Sequence, residues 1–405
     1  MIISCFPSEN VWLVCSGETL TGLIVRFMNL VRGLCLAAFT NEKKDPGATC
    51  PGRYDGLDRV SVSGDPPGNT RLLWPDLMRI VAMTGIVGYH LLGIFPGLKT
   101  TVFLGVFTEF GTMVFVFLAG FFAVDRKGRT IGQYYKTRFL SILLPYLEVS
   151  LLLLAAKCVT EGAPQDVFLW LLQNLLTGGA APTLWFVPMI AVFFLFAPFW
   201  TWIPQKIRLM LLGVGLIVCV GLLERGMYME LGKNSMYFVC YFLAGMESYL
   251  HRSTFESFVA KAFPVFCILF PLSLVLLYFC FESQVMTLAK LLYSLVLIGA
   301  SIRFFPADAG GVYSQGGFRR VFPGGIGRTA AAVSGCCYTV YLIHNTWIGQ
   351  IVVPVSQRIP SRFLHLPLFI ILTVLTMIIL VCLVLTAKRL LILVGIKKTR
   401  FIIGA

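Results

Sequence analysis

Two histidines, one arginine and one glutamate stand in otherwise apolar sequence, and these four residue types could do chemistry together. His90 follows Arg79 by eleven residues in WPDLMRIVAMTGIVGYH (74–90). Eleven residues are close to three helical turns, so the two side chains share a face about 16 Å apart along the axis. A guanidinium binds phosphates well. An imidazole, with an unperturbed pKa of about 6.5, takes up and releases protons near neutrality. His344 lies in SGCCYTVYLIHNTWI (334–348), and Glu109 lies in a second apolar run, from where it could orient or charge-balance an imidazole. Neither histidine has a second His or Cys at metal-ligand spacing on its own helix, so no metal is expected. No G-x-S-x-G elbow occurs, which speaks against a serine hydrolase. No P-loop or G-x-G-x-x-G occurs, so an ATP-driven pump and a dinucleotide enzyme lack support.

These residues stand out because so little else in the chain is charged. Of 405 residues, 57% are hydrophobic and 13% charged. A soluble protein has about 25% charged residues. From residue 76 onward ten spans of bilayer length can be placed, at roughly 77–96, 101–123, 139–157, 184–203, 207–223, 235–250, 262–280, 286–304, 330–352 and 365–387. The stretch 165–177 is too short to cross and is expected to lie at the interface or re-enter. With the N-terminus in the cytoplasm, Lys and Arg from residue 76 onward divide 19 inside to 7 outside. The positive-inside rule therefore favours ten spans with both termini cytoplasmic. The formal net charge of +14 is then mostly topological, with no reason to invoke nucleic acid.

The expected fold is an all-α polytopic membrane helix bundle. Residues 1–75 form an N-terminal extension, with an amphipathic surface helix over 19–39 and a flexible linker over 41–70; a wrongly assigned start would also account for them. Residues 76–387 form the transmembrane domain, and 388–405 a basic cytoplasmic tail. The 12 cysteines show no C-x-x-C and lie mostly in apolar runs, so neither a disulfide framework nor a metal site is read from them. In this frame His90 is 90 − 77 = 13 residues into the first span and His344 is 344 − 330 = 14 into the ninth, both counted from the inner side. Glu109 is 109 − 101 = 8 residues in from the outer side. All three therefore fall near one level. Ionisable residues at such depth are costly and point to function. Plainer readings stand beside the functional ones: a snorkelling Arg79 paired with Asp76, a hydrogen-bonded core His, a Glu bonded between helices.

The same segments resemble the integral-membrane acyltransferase 3 family. Asp76, Arg79 and His90 fall on its Asp-x-x-Arg opening and its Arg-or-Lys, ten residues, His motif. FVFLAGFFAVDRKGRTIGQYYKTRFLSILLPYL (115–147) is similar to its Phe-rich Ser-Gly-Phe stretch and basic entry to the third span; TLWFVPMIAVFFLFAP (183–198) is similar to its Leu-Trp-Phe segment; and 334–348 is similar to its Ser-Tyr-x-x-Tyr-Leu-x-His segment. The resemblance covers about 76–387. The family's Arg-x-x-Arg of the third span has Arg138 at its first position and Ser141 at its second, and Ala119 replaces the Ser before Gly120.

The resemblance implies an O-acetyltransferase of the bacterial inner membrane. It would move an acetyl or other acyl group from acetyl-CoA, used as donor rather than as a permanently bound cofactor, to a hydroxyl of a surface glycan or lipid-linked sugar. It also implies His90 as base or acyl relay and Arg79 as a donor contact. Lys136 and Arg138 are expected to join Arg79 around the donor phosphates, with His344 and Glu109 as supporting catalytic groups. Trp185, Tyr338 and Tyr341 are expected to face the sugar, although aromatics in spans also serve packing and interface belts. Expected partners are the glycan acceptor, membrane lipids and glycan-assembly machinery. The rival class is a proton-coupled transporter or flippase for a lipid-linked glycan, using the same cavity; the paired broken helices that would favour it are not apparent.

Overall fold

Apolar runs of this length become helices because only a helix satisfies each backbone N–H and C=O within its own segment when water is absent. The computed structural model describes residues 70–95, 98, 101–124, 130–162, 164–226, 230–280, 282–305, 312–314, 326–358 and 366–394. The amphipathic helix expected at 19–39, the linker before residue 70, the basic residues Arg126, Lys127 and Arg129, and the tail beyond residue 394 lie outside these residues.

The helices are α1 (Leu73–Leu91), α2 (Val102–Ala123), α3 (Ile131–Glu161, with a π-helical turn at Phe139–Leu143), α4 (Val167–Thr177), α5 (Phe186–Trp200), α6 (Gln205–Gly221), α7 (Leu231–Leu250), α8 (Arg252–Cys280), α9 (Ser283–Phe304), α10 (Ile326–Trp347) and α11 (Leu366–Leu393). A second π-helical turn, Ile348–Val352, prolongs α10 into Val353–Ser356. Each expected span falls on one helix, and 165–177 falls on α4, whose 11 residues are too few to cross. Among the described residues six helices are long and apolar enough to cross a membrane: α1 with the turn that follows it, α2, α3, α8, α9 and α11. With 15 and 17 residues, α5 and α6 are shorter than the roughly 20 residues a bilayer core asks for.

One short pairing departs from the all-helical expectation. Strand β1 (Thr70–Leu72) pairs antiparallel with β2 (Val312–Ser314). Three residues on each side are too few to show as an alternating pattern in the sequence. The pairing joins the segment before α1 to the segment after α9, so those two helix ends lie at the same end of the bundle.

Helix α2 packs against α1, α7 and α9; α10 and α11 pack on the other side of α1; α8 covers α9. Glycines permit the closest of these approaches. A Cβ on Gly120 would overlap the Phe242 carbonyl of α7, and one on Gly245 would overlap the Phe117 carbonyl of α2. On the other flank a Cβ on Gly111 would overlap the Ala82 carbonyl of α1. Small residues serve helix contacts in membranes because lipid gives no hydrophobic drive to associate, so close van der Waals packing must do it. A charged staple ties α5, α6 and α7: Arg208 Nε donates to Glu247 Oε1 at 2.6 Å, and the Trp200 indole N–H donates to the same oxygen at 2.8 Å.

Gly120→Val and Gly245→Val should each lower the thermal unfolding midpoint of the detergent-purified protein, since overpacking costs about 1–3 kcal/mol. Unchanged midpoints in both variants would mean that α2 and α7 do not approach this closely.

Candidate active site

The expected residues separate into two groups along α1. The first surrounds Arg79, near the start of the helix. Asp76 is buried and accepts a hydrogen bond from Ser334 Oγ of α10 at 2.7 Å. One Arg79 nitrogen lies 3.4 Å from Asp76 and 3.3 Å from Ser334 Oγ. This is the pairing that the i, i+3 spacing of Asp76 and Arg79 allows. The guanidinium of Arg79 also sits 4.5 Å above the ring of Phe122, at the end of α2. Arg138 of α3 reaches the same residue from another direction, donating to the Phe122 carbonyl at 2.5 Å. It is further held over the rings of Phe194, at 4.6 Å, and Tyr134, at 5.3 Å. Arg79 and Arg138, far apart in sequence, thus converge on one phenylalanine. Lys136 lies two residues before Arg138 and is half-buried. Ser141 is buried, and its hydroxyl donates to the Thr137 carbonyl at 2.6 Å, so no second arginine charge stands at that position.

The second group surrounds His90. Its ring centroid is 5.0 Å from that of His344, so the equal depth read from the sequence corresponds to direct neighbours. His344 is fully buried. Its Nδ1–H donates to the Tyr341 carbonyl, one turn back, at 2.7 Å. That bond leaves Nε2 as the bare acceptor of a neutral imidazole, and Nε2 has no hydrogen-bond partner. A buried acceptor without a partner costs about 1–3 kcal/mol. Such a cost is sustained where a donor arrives in use. The His90 ring is half-buried, next to Tyr89, with ring centroids 5.3 Å apart.

The expected substrate aromatics have other commitments. The Tyr338 hydroxyl donates to the Ile142 carbonyl of α3 at 2.6 Å, within the π-helical turn, where the widened ladder reshuffles backbone acceptors. The Tyr341 hydroxyl donates to the Thr183 carbonyl. Both hydroxyls therefore lock α10 in place. Trp185 is set by Gly178, which ends α4 with φ 76°, and whose missing Cβ admits the Trp185 backbone. Rings continue from Trp185 to Phe186, from Phe186 to Tyr341 at 5.5 Å, and from Tyr341 to His344 at 5.8 Å.

Glu109 does not hydrogen-bond to an imidazole. Its carboxylate accepts from Lys290 of α9 and lies 3.5 Å from an Arg225 nitrogen. The physical reason is charge: two cations bind a carboxylate more strongly than a neutral ring does. Lys290, Arg225, Phe122 and Ser334 escaped the sequence reading. Lys290 had a visible signal, a lysine inside the apolar run QVMTLAKLLYSLVLIG (284–299). Arg225 had none, since it follows an apolar run like any loop cation. Among the described residues, no group of three or more His, Cys, Asp or Glu side chains gathers around a point.

This arrangement, a helical membrane bundle with a guanidinium pair toward one end of α1 and an imidazole pair toward the other, has the layout of an integral-membrane group-transfer enzyme. The chain belongs to the acyltransferase 3 family, whose acyltransferase domain matches residues 72–386. In comparisons with curated proteins and with solved structures, nothing matches the chain.

Replacing His344 by Phe keeps a ring but removes the acceptor nitrogen. Acyl transfer should fall by about tenfold or more, the worth of one hydrogen bond to a charged ring, while donor binding persists. Transfer at the wild-type rate would show the ring to be packing alone.

Proposed function

We propose that this membrane acyltransferase is an O-acetyltransferase that takes its acyl group from cytosolic acetyl-CoA and delivers it to a sugar hydroxyl. The observation that carries the proposal is the tautomer-fixed, unpartnered His344 Nε2 beside His90, set along α1 from the converging Arg79 and Arg138. In this reading ten helices cross the bilayer, α4 does not, and both termini are cytoplasmic. The contacts support that topology. The starts of α1 and α10 meet through Asp76 and Ser334, the starts of α1 and α8 through Trp74 and Glu256 at 3.0 Å, and the end of α2 meets Arg79. Alternating crossings put all of these on the cytoplasmic side, where the basic residues concentrate.

The donor's phosphates lie at Arg79 and Arg138, with Lys136 adding charge, and its pantetheine arm runs along α1 toward His90. An alcohol is a weak nucleophile, so a base must take its proton as it attacks. His90, the more exposed ring, accepts the proton from the sugar hydroxyl. The hydroxyl oxygen bonds to the thioester carbonyl carbon, the C–S bond breaks, and the CoA thiolate leaves and recovers the proton from the imidazolium. His344 Nε2 accepts a hydrogen bond from the far N–H of His90, holding the ring in place and stabilising its charged form. The acceptor is a surface glycan or lipid-linked sugar reached from the outer half of a bacterial inner membrane.

Radiolabelled acetyl-CoA offered to purified protein with candidate glycans should place label in the glycan, and His90→Ala, expressed at the same level, should abolish it. Full transfer by His90→Ala would remove the catalytic assignment. Movement of a lipid-linked glycan across the membrane with no covalent label would point to a transporter.

A further inference from the structure

At the outer level two cations, Lys290 and Arg225, share the carboxylate of Glu109. Lys290 is a buried cation and is bonded to the Glu109 carboxylate. Arg225 shares that carboxylate only at the edge of hydrogen-bond reach, 3.5 Å, through one nitrogen. It is held from behind by rings instead, 5.3 Å over Trp185 and 6.0 Å over Phe238. The neighbouring carboxylates are engaged elsewhere: Glu224 accepts from Ser283 and Glu230 from Lys233. One carboxylate thus serves two cations directly, while the Glu224 carboxylate, bonded to a neutral hydroxyl, stays charged next to Arg225. The Arg225 side chain remains about 29% exposed, with most of its donor fork uncommitted to Glu109. A guanidinium with free donors is a ready partner for an anion.

The cluster also lies beside the imidazole pair. Thr108, one residue before Glu109, packs against the α1 backbone at Gly85 and Gly88, within a turn and a half of His90. His90 and Tyr89 both sit in the electrostatic field of Arg225. Trp185, beneath Arg225, starts the run of rings that ends at His344. A group bound at Arg225 would therefore stand near the hydroxyl presented to His90, with an aromatic face alongside.

We propose that Arg225, positioned by Glu109 and by the rings of Trp185 and Phe238, is an acceptor subsite for an anionic substituent, so that this chain selects an acidic glycan over a neutral one. The substituent is a carboxylate or a phosphate, both of which match the guanidinium fork. Glu109 keeps the two cations from repelling one another and leaves the outward nitrogens of Arg225 for the ligand. This deepens the reading of the chain as a glycan acyltransferase and rests on it for the word acceptor; the binding step itself requires no acyl transfer.

The test is equilibrium binding to the purified full chain in lipid nanodiscs, without acyl-CoA, using three probes: a disaccharide ending in glucuronic acid, its neutral glucose counterpart, and that counterpart carrying a 6-phosphate. Wild type should bind one acidic probe at least tenfold more tightly than the neutral one, and the identity of that probe distinguishes carboxylate from phosphate. Arg225→Gln should lose the preference, while Arg225→Lys keeps part of it. Equal binding of all three probes by wild type, or an undiminished preference in Arg225→Gln, would overturn the subsite. A preserved acidic preference, with no acetyl transfer to any probe once acetyl-CoA is added in a second step, would uphold the subsite and overturn the acetyl-transfer reading alone.

Discussion

Three helices meet here at the limit of backbone approach, and both ends of the site hang on that contact. Gly111 of α2 lies against the Ala82 carbonyl, while Gly120 of α2 and Gly245 of α7 lie against carbonyls of each other's helix. Helix α2 carries Glu109 toward one end and Phe122 toward the other, so its distance from α1 decides where both fall relative to His90 and Arg79. Lipid does not press helices together as water does, and the close fit must come from dispersion between small residues. A larger side chain at any of these glycines would separate the helices and widen both ends of the site together.

The second constraint is the low dielectric between those ends. Each polar group inside the bundle needs an answering group, and nearly all of them have one. Asp76 answers Ser334 and Arg79; Glu247 answers Arg208 and Trp200; the hydroxyls of Tyr338 and Tyr341 find backbone carbonyls. Among the described residues the buried side-chain atoms without a hydrogen-bond partner include Ser150 Oγ, Thr183 Oγ1 and, beside His90, His344 Nε2. Buried groups left short of partners are where a ligand contributes most, because it removes a standing cost as it binds.

Much of this was legible in the sequence because bilayers impose simple rules. Apolar length marked each helix, and the short 165–177 stretch was correctly separated from the long ones. Span counting puts His90 and His344 at one level, and the structure adds that their rings touch, 5.0 Å apart; an i, i+3 spacing predicts the Asp76–Arg79 pair. What stayed hidden depends on which helices touch. Arg138 meets Arg79 only through Phe122, an ordinary apolar residue in sequence. Of the two readings of Glu109, the one bonded between helices is what the structure has, and its cations could not be named because they come from α9 and from the segment after α6, which no local spacing links to α2. Nor can a sequence show that the hydroxyls of Tyr338 and Tyr341 are bound to backbone carbonyls. The β1–β2 pairing is too short to leave a pattern at all.

The separation of charges along α1 has a consequence for how transfer across a membrane can work. A highly charged donor such as CoA cannot follow its acyl group into the bundle, because burying its phosphates would cost far more than any contact there returns. With an acyl-CoA as the proposed donor, the phosphates would stay with guanidinium groups near one end and only a thin neutral arm would reach inward. The acceptor meets the opposite restriction: if it carries an anion, that charge needs its own cation at the other end. Two separate positive sites with a pair of neutral imidazoles between them meet both demands at once. The histidines are suited to the middle for the same reason. An imidazole can be buried neutral and become charged only while the reaction proceeds, so the interior bears a charge transiently rather than permanently.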